Sequence, residues 1–536
     1  MTKWKELKKP KRLNSTNHVF GQAFSSFLNA GSHWFKGDFK KSIEGFTKSL
    51  PSFEEHKIYT LTVGVYNAFA TISLMKGEFE KAIRFAEKGI HVMQQQGFYW
   101  PYPWNAVIGA YLNKGDTQTA LKYAKQRLTL MEELQNHKGI VKQLRWFAQI
   151  YYAKTEYEKA LFWTEKSLTY AEKSKNKREH VWALELIGII YYQMGKLDPA
   201  VNYLQQALTL SKELREEFGG EGLTTCYVQA NLAELYSMRG DFDQALKLME
   251  SGLALMEKHE SSWFQHDFYL TMGTILMKKG DYIQAREQLH TSLALHEKYG
   301  DILTSADTLY YLVLVNSELD ELEAAQRYLH QLKQLTSTTT DPKITQQIQL
   351  AQGIIYKKSP RAVMKAKAQE IFQQITNEEK IELDLSVFAM LNLLELLIWE
   401  VSSSGHEEVL AEIQQLILRL DDLAQQQKAH TLEIEVRLIQ SQLQLITGNV
   451  NQAMEVLKRA RGIAYENKLE SYQNRIERQE QEIETELQKW RELAEQNAPL
   501  IERMQQSKVI DYIDTALRLV GKGSSQEEKI KTSIQD

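Results

Sequence analysis

The stretch Gly280-Asp281-Tyr282-Ile283-Gln284-Ala285-Arg286-Glu287-Gln288-Leu289-His290-Thr291-Ser292-Leu293 decides the fold, because its pattern returns along the chain at nearly fixed intervals. Copies begin at Gly37, Gly77, Gly115, Thr155, Gly195, Gly240, Gly280 and Asp320, so the intervals are 40, 38, 40, 40, 45, 40 and 40 residues. A period of this size is the mark of a solenoid. Within the copies an aromatic or leucine stands two places on, as at Phe39, Phe79, Tyr157, Leu197, Phe242, Tyr282 and Leu322. Five places on come Ala82, Ala120, Ala160, Ala200, Ala245, Ala285 and Ala325, with Ser42 in the first copy. Steps of three and four put these residues on one face of an α-helix. The alanine admits a close helix neighbour, where leucine would push the axes apart.

A second helix precedes each block. In Leu186-Ile187-Gly188-Ile189-Ile190-Tyr191-Tyr192 the small residue lies seven before Gly195, and Ala70, Ala148, Ala233 and Gly273 hold the same offset in their copies; Gly109 is one residue closer. Connections this short make the two helices antiparallel neighbours. Asp38, Asp116, Asp241 and Asp281 follow the turn and are placed to accept from free N–H groups of the second helix.

This unit, with a small residue in the first helix, Gly-Asp-Tyr at the turn, and Ala then Leu in the second, resembles the tetratricopeptide repeat. The usual repeat there is about 34 residues. The longer period here resembles the arrays of kinesin light chain, of Pins-type polarity adaptors and of the sensor domains of some bacterial transcription activators. The resemblance implies an all-α, right-handed α-solenoid of antiparallel helix pairs.

The expected organisation is a basic tail over 1–18 with Lys3, Lys5, Lys8, Lys9, Lys11 and Arg12, an array of about eight repeats over 19–335, and degenerate repeats over 336–466. Thr447-Gly448-Asn449-Val450 restores one good copy, and Ser402-Ser403-Ser404-Gly405 reads as the turn of another. Over 467–497 a narrow apolar stripe predicts one long helix, which either caps the array or self-associates as a coiled coil. A further amphipathic helix is expected over 500–520 and a disordered tail over 521–536.

Composition excludes several classes. The 536 residues are 43% hydrophobic and 25% charged with a net charge of −4, so no global positive field points to nucleic acid. The single Cys226 has no partner for an internal disulfide, no signal peptide is read, and no run of apolar residues reads as a membrane span; the cytoplasm is the expected location. No phosphate loop, zinc-type histidine pair or nucleophile elbow is found, so neither an enzyme nor a cofactor or metal site is expected. His259 and His266 lack a partner at metal-like spacing, and Gly219-Gly220-Glu221-Gly222 reads as a lengthened loop.

Function is therefore expected in the concave groove lined by the first helices. By resemblance, the groove positions are Asn67, Thr71, Lys142, Arg145, Gln149, Tyr152, Trp182, Glu185, Tyr192, Tyr227, Asn231, Glu234, Asp267 and Thr274, with plain solvated surface as the other reading for each of them and a place facing the next helix as a further reading for Asn231. They do not repeat the carboxylate-clamp pattern of chaperone-binding members. The expected role is a scaffold or adaptor for a protein or peptide; the alternative is a sensor that relays a signalling peptide or small ligand to a separate effector. The aromatic run Phe98-Tyr99-Trp100-Pro101-Tyr102-Pro103-Trp104 reads as a rigid corner, with an exposed aromatic site as the other reading.

Overall fold

The computed structural model describes residues 19–35, 38–135, 137–194, 196–218, 222–258, 265–299, 302–335, 342–377, 383–406, 408–426, 429–467, 469–496 and 498–520. The basic tail, Gly37, Gly195, His259, the glycine loop 219–221, the connection 336–341 and the tail 521–536 lie outside them.

Helices α1 (Val19–Phe35), α3 (Tyr59–Met75), α5 (Pro101–Asn113), α7 (His137–Ala153), α9 (Lys177–Gln193), α11 (Gly222–Met238), α13 (Gln265–Lys279) and α15 (Ile302–Glu318) are the first helices of eight pairs. Their partners are α2 (Phe39–Glu55), α4 (Phe79–Gln96), α6 (Thr117–Glu133), α8 (Tyr157–Lys173), α10 (Leu197–Phe218), α12 (Phe242–Lys258), α14 (Tyr282–Tyr299) and α16 (Leu322–Leu335). Three more pairs follow without a change of plan: α17 (Pro342–Lys358) with α18 (Ala362–Asn377), α19 (Leu383–Ser404) with α20 (Val409–Gln426), and α21 (His430–Ile446) with α22 (Val450–Glu466). The molecule is an all-α solenoid.

The turn block builds each pair in a single stroke. Gly280 takes φ 88°, its N–H donates to Met277 O at 3.0 Å, and Asp281 N–H donates to Leu276 O at 2.9 Å, which closes the first helix. Asp281 Oδ1 then accepts from Gln284 N–H at 3.2 Å and opens the second. Asp38 and Asp116 cap in the same way, from Lys41 N–H and Thr119 N–H. Asp241 instead sets its carboxylate 3.8 Å from Arg239 Nε. Thr155 and Asp320 hold the glycine slot with φ 57° and 58°, so the left-handed turn survives where its best residue is missing.

Packing follows the small residues. Every block alanine named above is fully buried, as is Ser42. A Cβ added to Gly188 would stand 2.8 Å from Leu204 Cγ and 3.1 Å from Ala200 O; one added to Gly273 would meet Leu289 at 2.8 Å. Glycine in the first helix therefore seats against the alanine turn of the second.

First helices also pack on one another from pair to pair, α3 on α5, α11 on α13, α15 on α17 and α17 on α19. This closer approach curves the stack toward them and makes them the inner, concave layer. It also explains their composition: Val181 to Ile190 of α9 are all buried, because neighbours press on α9 from both sides. Helix α19 contains a segment, Leu385–Ser404, that is long and apolar enough to cross a membrane by length and composition, which corrects the expectation that no run of apolar residues reads as a span. It is 72% buried inside the array and serves as a core helix.

The C-terminal helix differs from expectation. The stripe over 467–497 forms two helices, α23 (Glu470–Thr485) and α24 (Leu487–Glu495), separated at Glu486 with φ −96° and ψ 7°. Helix α23 packs on α22, and the bend lets Trp490 be buried against the same end of the array. The expected helix over 500–520 is also two, α25 (Leu500–Gln506) and α26 (Val509–Val520), divided at the extended Ser507.

The aromatic run is a corner. Pro101 starts α5, Trp100 N–H donates to Met93 Sδ at 3.2 Å, and Pro103 and Trp104 are buried, leaving Tyr102 as the exposed ring of the seven. Tyr99 OH accepts from Nε of the buried Arg127 at 3.0 Å. Cys226 packs as a small apolar group whose thiol is pushed up to about 12 by burial. His266 is buried edge-on to His296, with ring centroids 4.3 Å apart.

Candidate interaction groove

The sequence-selected residues divide into a floor and a rim. Gln149, Tyr152, Trp182, Glu185, Asn231, Glu234 and Thr274 are buried, and Asn67, Thr71, Arg145, Tyr192, Tyr227 and Asp267 are half-buried. Lys142 is exposed. The reading of these positions as solvated groove surface is thus corrected for the first group. The long first helices pack directly on one another, so positions that would face open solvent in a wider superhelix become contacts between pairs.

Several side chains are spent on structure. Thr71 Oγ1 donates to Asn67 O at 3.0 Å and Thr274 Oγ1 to Thr271 O at 2.8 Å, each within its own helix. Tyr192 OH lies 2.7 Å from Met238 Sδ, Tyr152 tilts against Tyr157, and Asp267 Oδ1 is 3.6 Å from His266 Nε2.

The structure draws together four of the chosen residues from three consecutive first helices. The Arg145 guanidinium of α7 stands over the Trp182 ring of α9, 4.5 Å from its centroid. One turn along α9, Glu185 Oε1 accepts from Asn231 Nδ2 of α11 at 2.7 Å. Burial pushes the Glu185 carboxyl up to about 7, against the opposing pull of Arg145 and of the Asn231 hydrogen bond. This set carries cation, aromatic face, carboxyl and amide across the inner layer.

Next to it, Gln149 lies one turn beyond Arg145 on α7, 2% exposed, with neither its amide oxygen nor its amide nitrogen hydrogen-bonded. Asn67 Oδ1 on α3 is likewise buried and unbonded. Sequence reasoning named both residues but could not see that their amides would be unsatisfied, because that depends on what neighbouring pairs bring. A cavity of about 420 Å³ lined by Gln118, Leu121, Lys122, Lys125, Gln126 and Thr129 is only a shallow surface along α6, outside the groove. Among the described residues no cluster of three or more histidine, cysteine or acidic side chains could hold a metal ion.

A family model for the MalT-like TPR region matches residues 64–219 and 220–468, well over half of the chain. The chain belongs to the MalT-like TPR region family. The two matches abut inside the glycine loop, and the second runs across the faded copies, so family membership extends well past Leu335. Similar solved structures include apo RapI, at 13% identity and TM-score 0.44, covering 66% of this chain and 96% of that one. The apo quorum sensor NprR from B. thuringiensis has 16% identity and TM-score 0.43, covering 68% and 99%. A Rap protein complexed with competence and sporulation factor has 12% identity and TM-score 0.42, covering 68% and 98%. Comparison with curated proteins gives no match.

Proposed function

We propose that this TPR array is a non-enzymatic interaction scaffold that binds a peptide or an extended segment of a partner protein along the inner layer from α3 to α11. The observation that carries this reading is Gln149. A buried amide with both of its polar ends unbonded costs about 1–3 kcal/mol per group. An extended main chain supplies both a donor and an acceptor, so a ligand that parts α7 from the neighbouring first helix recovers that cost. Arg145 on Trp182, one turn from Gln149 along α7, offers a carboxylate or aromatic anchor, and Glu185 with Asn231 on the next two first helices offers a donor contact.

The test is a fluorescence-anisotropy screen of a peptide library on the purified full chain, followed by titration of the tightest peptides. Gln149→Ala and Arg145→Glu, each checked for an unchanged helical circular dichroism signal, are expected to weaken those peptides by tenfold or more. If the tightest peptides bind both variants as well as the wild type, the inner layer is not the binding site.

A further inference from the structure

The last helix among the described residues, α26, does not extend the array. After α24 the chain turns at Pro499, and α25 and α26 run back along the inner layer, with α26 packed on α21, α19 and α13 and α25 on α19 and α21. All of these partners are first helices. The C-terminal half of the concave surface therefore already holds a helix.

The contact has the form of a ligand in a groove. Val509, Tyr512, Ile513 and Ala516 are buried, at steps of three, one and three, while Asp511, Asp514 and Arg518 are exposed, Asp514 within electrostatic range of Lys357 and Glu395 and Arg518 beside Gly280 at the groove edges. Polar contacts hold its start: Lys508 N–H donates to Gln442 Oε1 at 2.9 Å, and Lys508 Nζ pairs with Glu482 at 2.8 Å. The Arg475 guanidinium sits 5.2 Å from the Tyr512 ring centroid.

The array's own charges around this helix are paired without it. Lys357 Nζ donates to Asn392 Oδ1 at 2.7 Å and pairs with Glu395 at 2.5 Å; Lys358 pairs with Glu318 at 3.0 Å; Arg475 pairs with Glu435, and Arg437 with Glu433 at 2.7 Å. Lifting α26 away would break none of these pairs and strand no buried charge, which distinguishes it from a core helix.

From this geometry we infer that the inner face of α13 to α21 is a docking site for an amphipathic helix, and that its resident is the chain's own segment Val509–Val520, a tethered ligand that docks and undocks while the array stays folded. A competing helix needs apolar anchors at i, i+4 and i+7 and an aromatic at i+3 to meet Arg475. The inference goes beyond the proposed peptide site, which lies on α3 to α11, and does not depend on it.

Two experiments on the full chain test it. By hydrogen exchange, amides of α26 are expected to exchange at least tenfold faster than those of α19 and α21 beneath it; equal protection would make α26 part of the core and overturn the inference. In the second, a fluorescent synthetic peptide of residues 507–520 is titrated into the wild type and into the variant Ile513→Asp/Ala516→Asp. The variant, with its own helix released, is expected to bind the peptide at least tenfold more tightly than the wild type, whose site is filled. A variant that keeps its helical signal and its unfolding midpoint yet binds no peptide would refute the docking site. A variant that loses the α19–α22 fold would refute the claim that α26 is detachable, and the exchange measurement on the wild type decides the same point without any substitution.

Discussion

Replacing Glu185 by glutamine tests the electrostatics of the groove floor. The carboxyl titrates at about 7 in the folded chain against 4.5 in the unfolded one, a rise caused first by burial and only partly offset by Arg145 and Asn231. An acid whose folded pKa is raised holds its proton in the native state after the unfolded state has lost it. Stability is then highest below the unfolded value, falls as pH rises between about 4.5 and about 7, and stays at the lower level above that. A difference of this size corresponds to about 3 kcal/mol. Glutamine keeps the oxygen that accepts from Asn231 Nδ2 but has no charge to desolvate. The assay is urea unfolding of wild type and Glu185→Gln, followed by circular dichroism from about pH 4 to about pH 8 with the m-value checked for constancy. The stability of the variant minus that of the wild type is expected to grow by about 3 kcal/mol across the range, with most of the change between the two pKa values. Adding Arg145→Met removes the cation that favours the ionised form, so the pH-dependent loss in an otherwise wild-type chain should become larger. A difference that stays flat with pH would refute the claim that the carboxyl is buried beneath the inner layer.

Three further outcomes follow from the packing. Gly188→Val places a branched side chain where even a Cβ would stand 2.8 Å from Leu204 Cγ, so it should lower stability by about 2 kcal/mol or more despite valine's better helix propensity; an unchanged melting temperature would mean that α9 and α10 are not in close contact. Thr155→Gly relieves a β-branched residue held at φ 57° and should stabilise the chain by up to about 1 kcal/mol in urea, whereas glycine at an ordinary helical position destabilises. Ala200→Leu should be among the most damaging single changes in the array, because the alanine is fully buried where α10 meets α9; its denaturation midpoint should fall by more than that of Ala153→Leu, at an exposed helix end.

Much of the architecture was legible because it is local. The Gly280–Asp281 turn, the caps at Asp38 and Asp116, and the buried ladder from Ala82 to Ala325 all follow from backbone conformation and from side-chain spacing within about 20 residues. The faded region was harder to read, since Ser404-Gly405 and Pro342 mark turns whose blocks have lost the glycine–aspartate signature. The break at Glu486 left no signal of its own: no proline or glycine stands there, and the bend follows from burying Trp490 against the end of the array.

The inner surface obeyed a different logic. Gln149, Trp182, Glu185 and Asn231 could be placed on the inward face of first helices by resemblance to tetratricopeptide arrays. Their burial, the Arg145–Trp182 contact and the unbonded Gln149 amide depend on how tightly one pair sits on the next. That spacing is the sum of many small rotations between pairs, and no single repeat encodes it. The return of Val509–Val520 over α21, α19 and α13 is likewise a contact between residues more than 60 positions apart in sequence. The sequence by itself determined the helix pair, its turn and its repetition, because short-range sterics and periodicity suffice for those. Only the tertiary structure decided which groove residues became floor and which became rim, and that one half of the groove is filled by the chain's own segment Val509–Val520, because both outcomes rest on packing between segments that are distant along the chain.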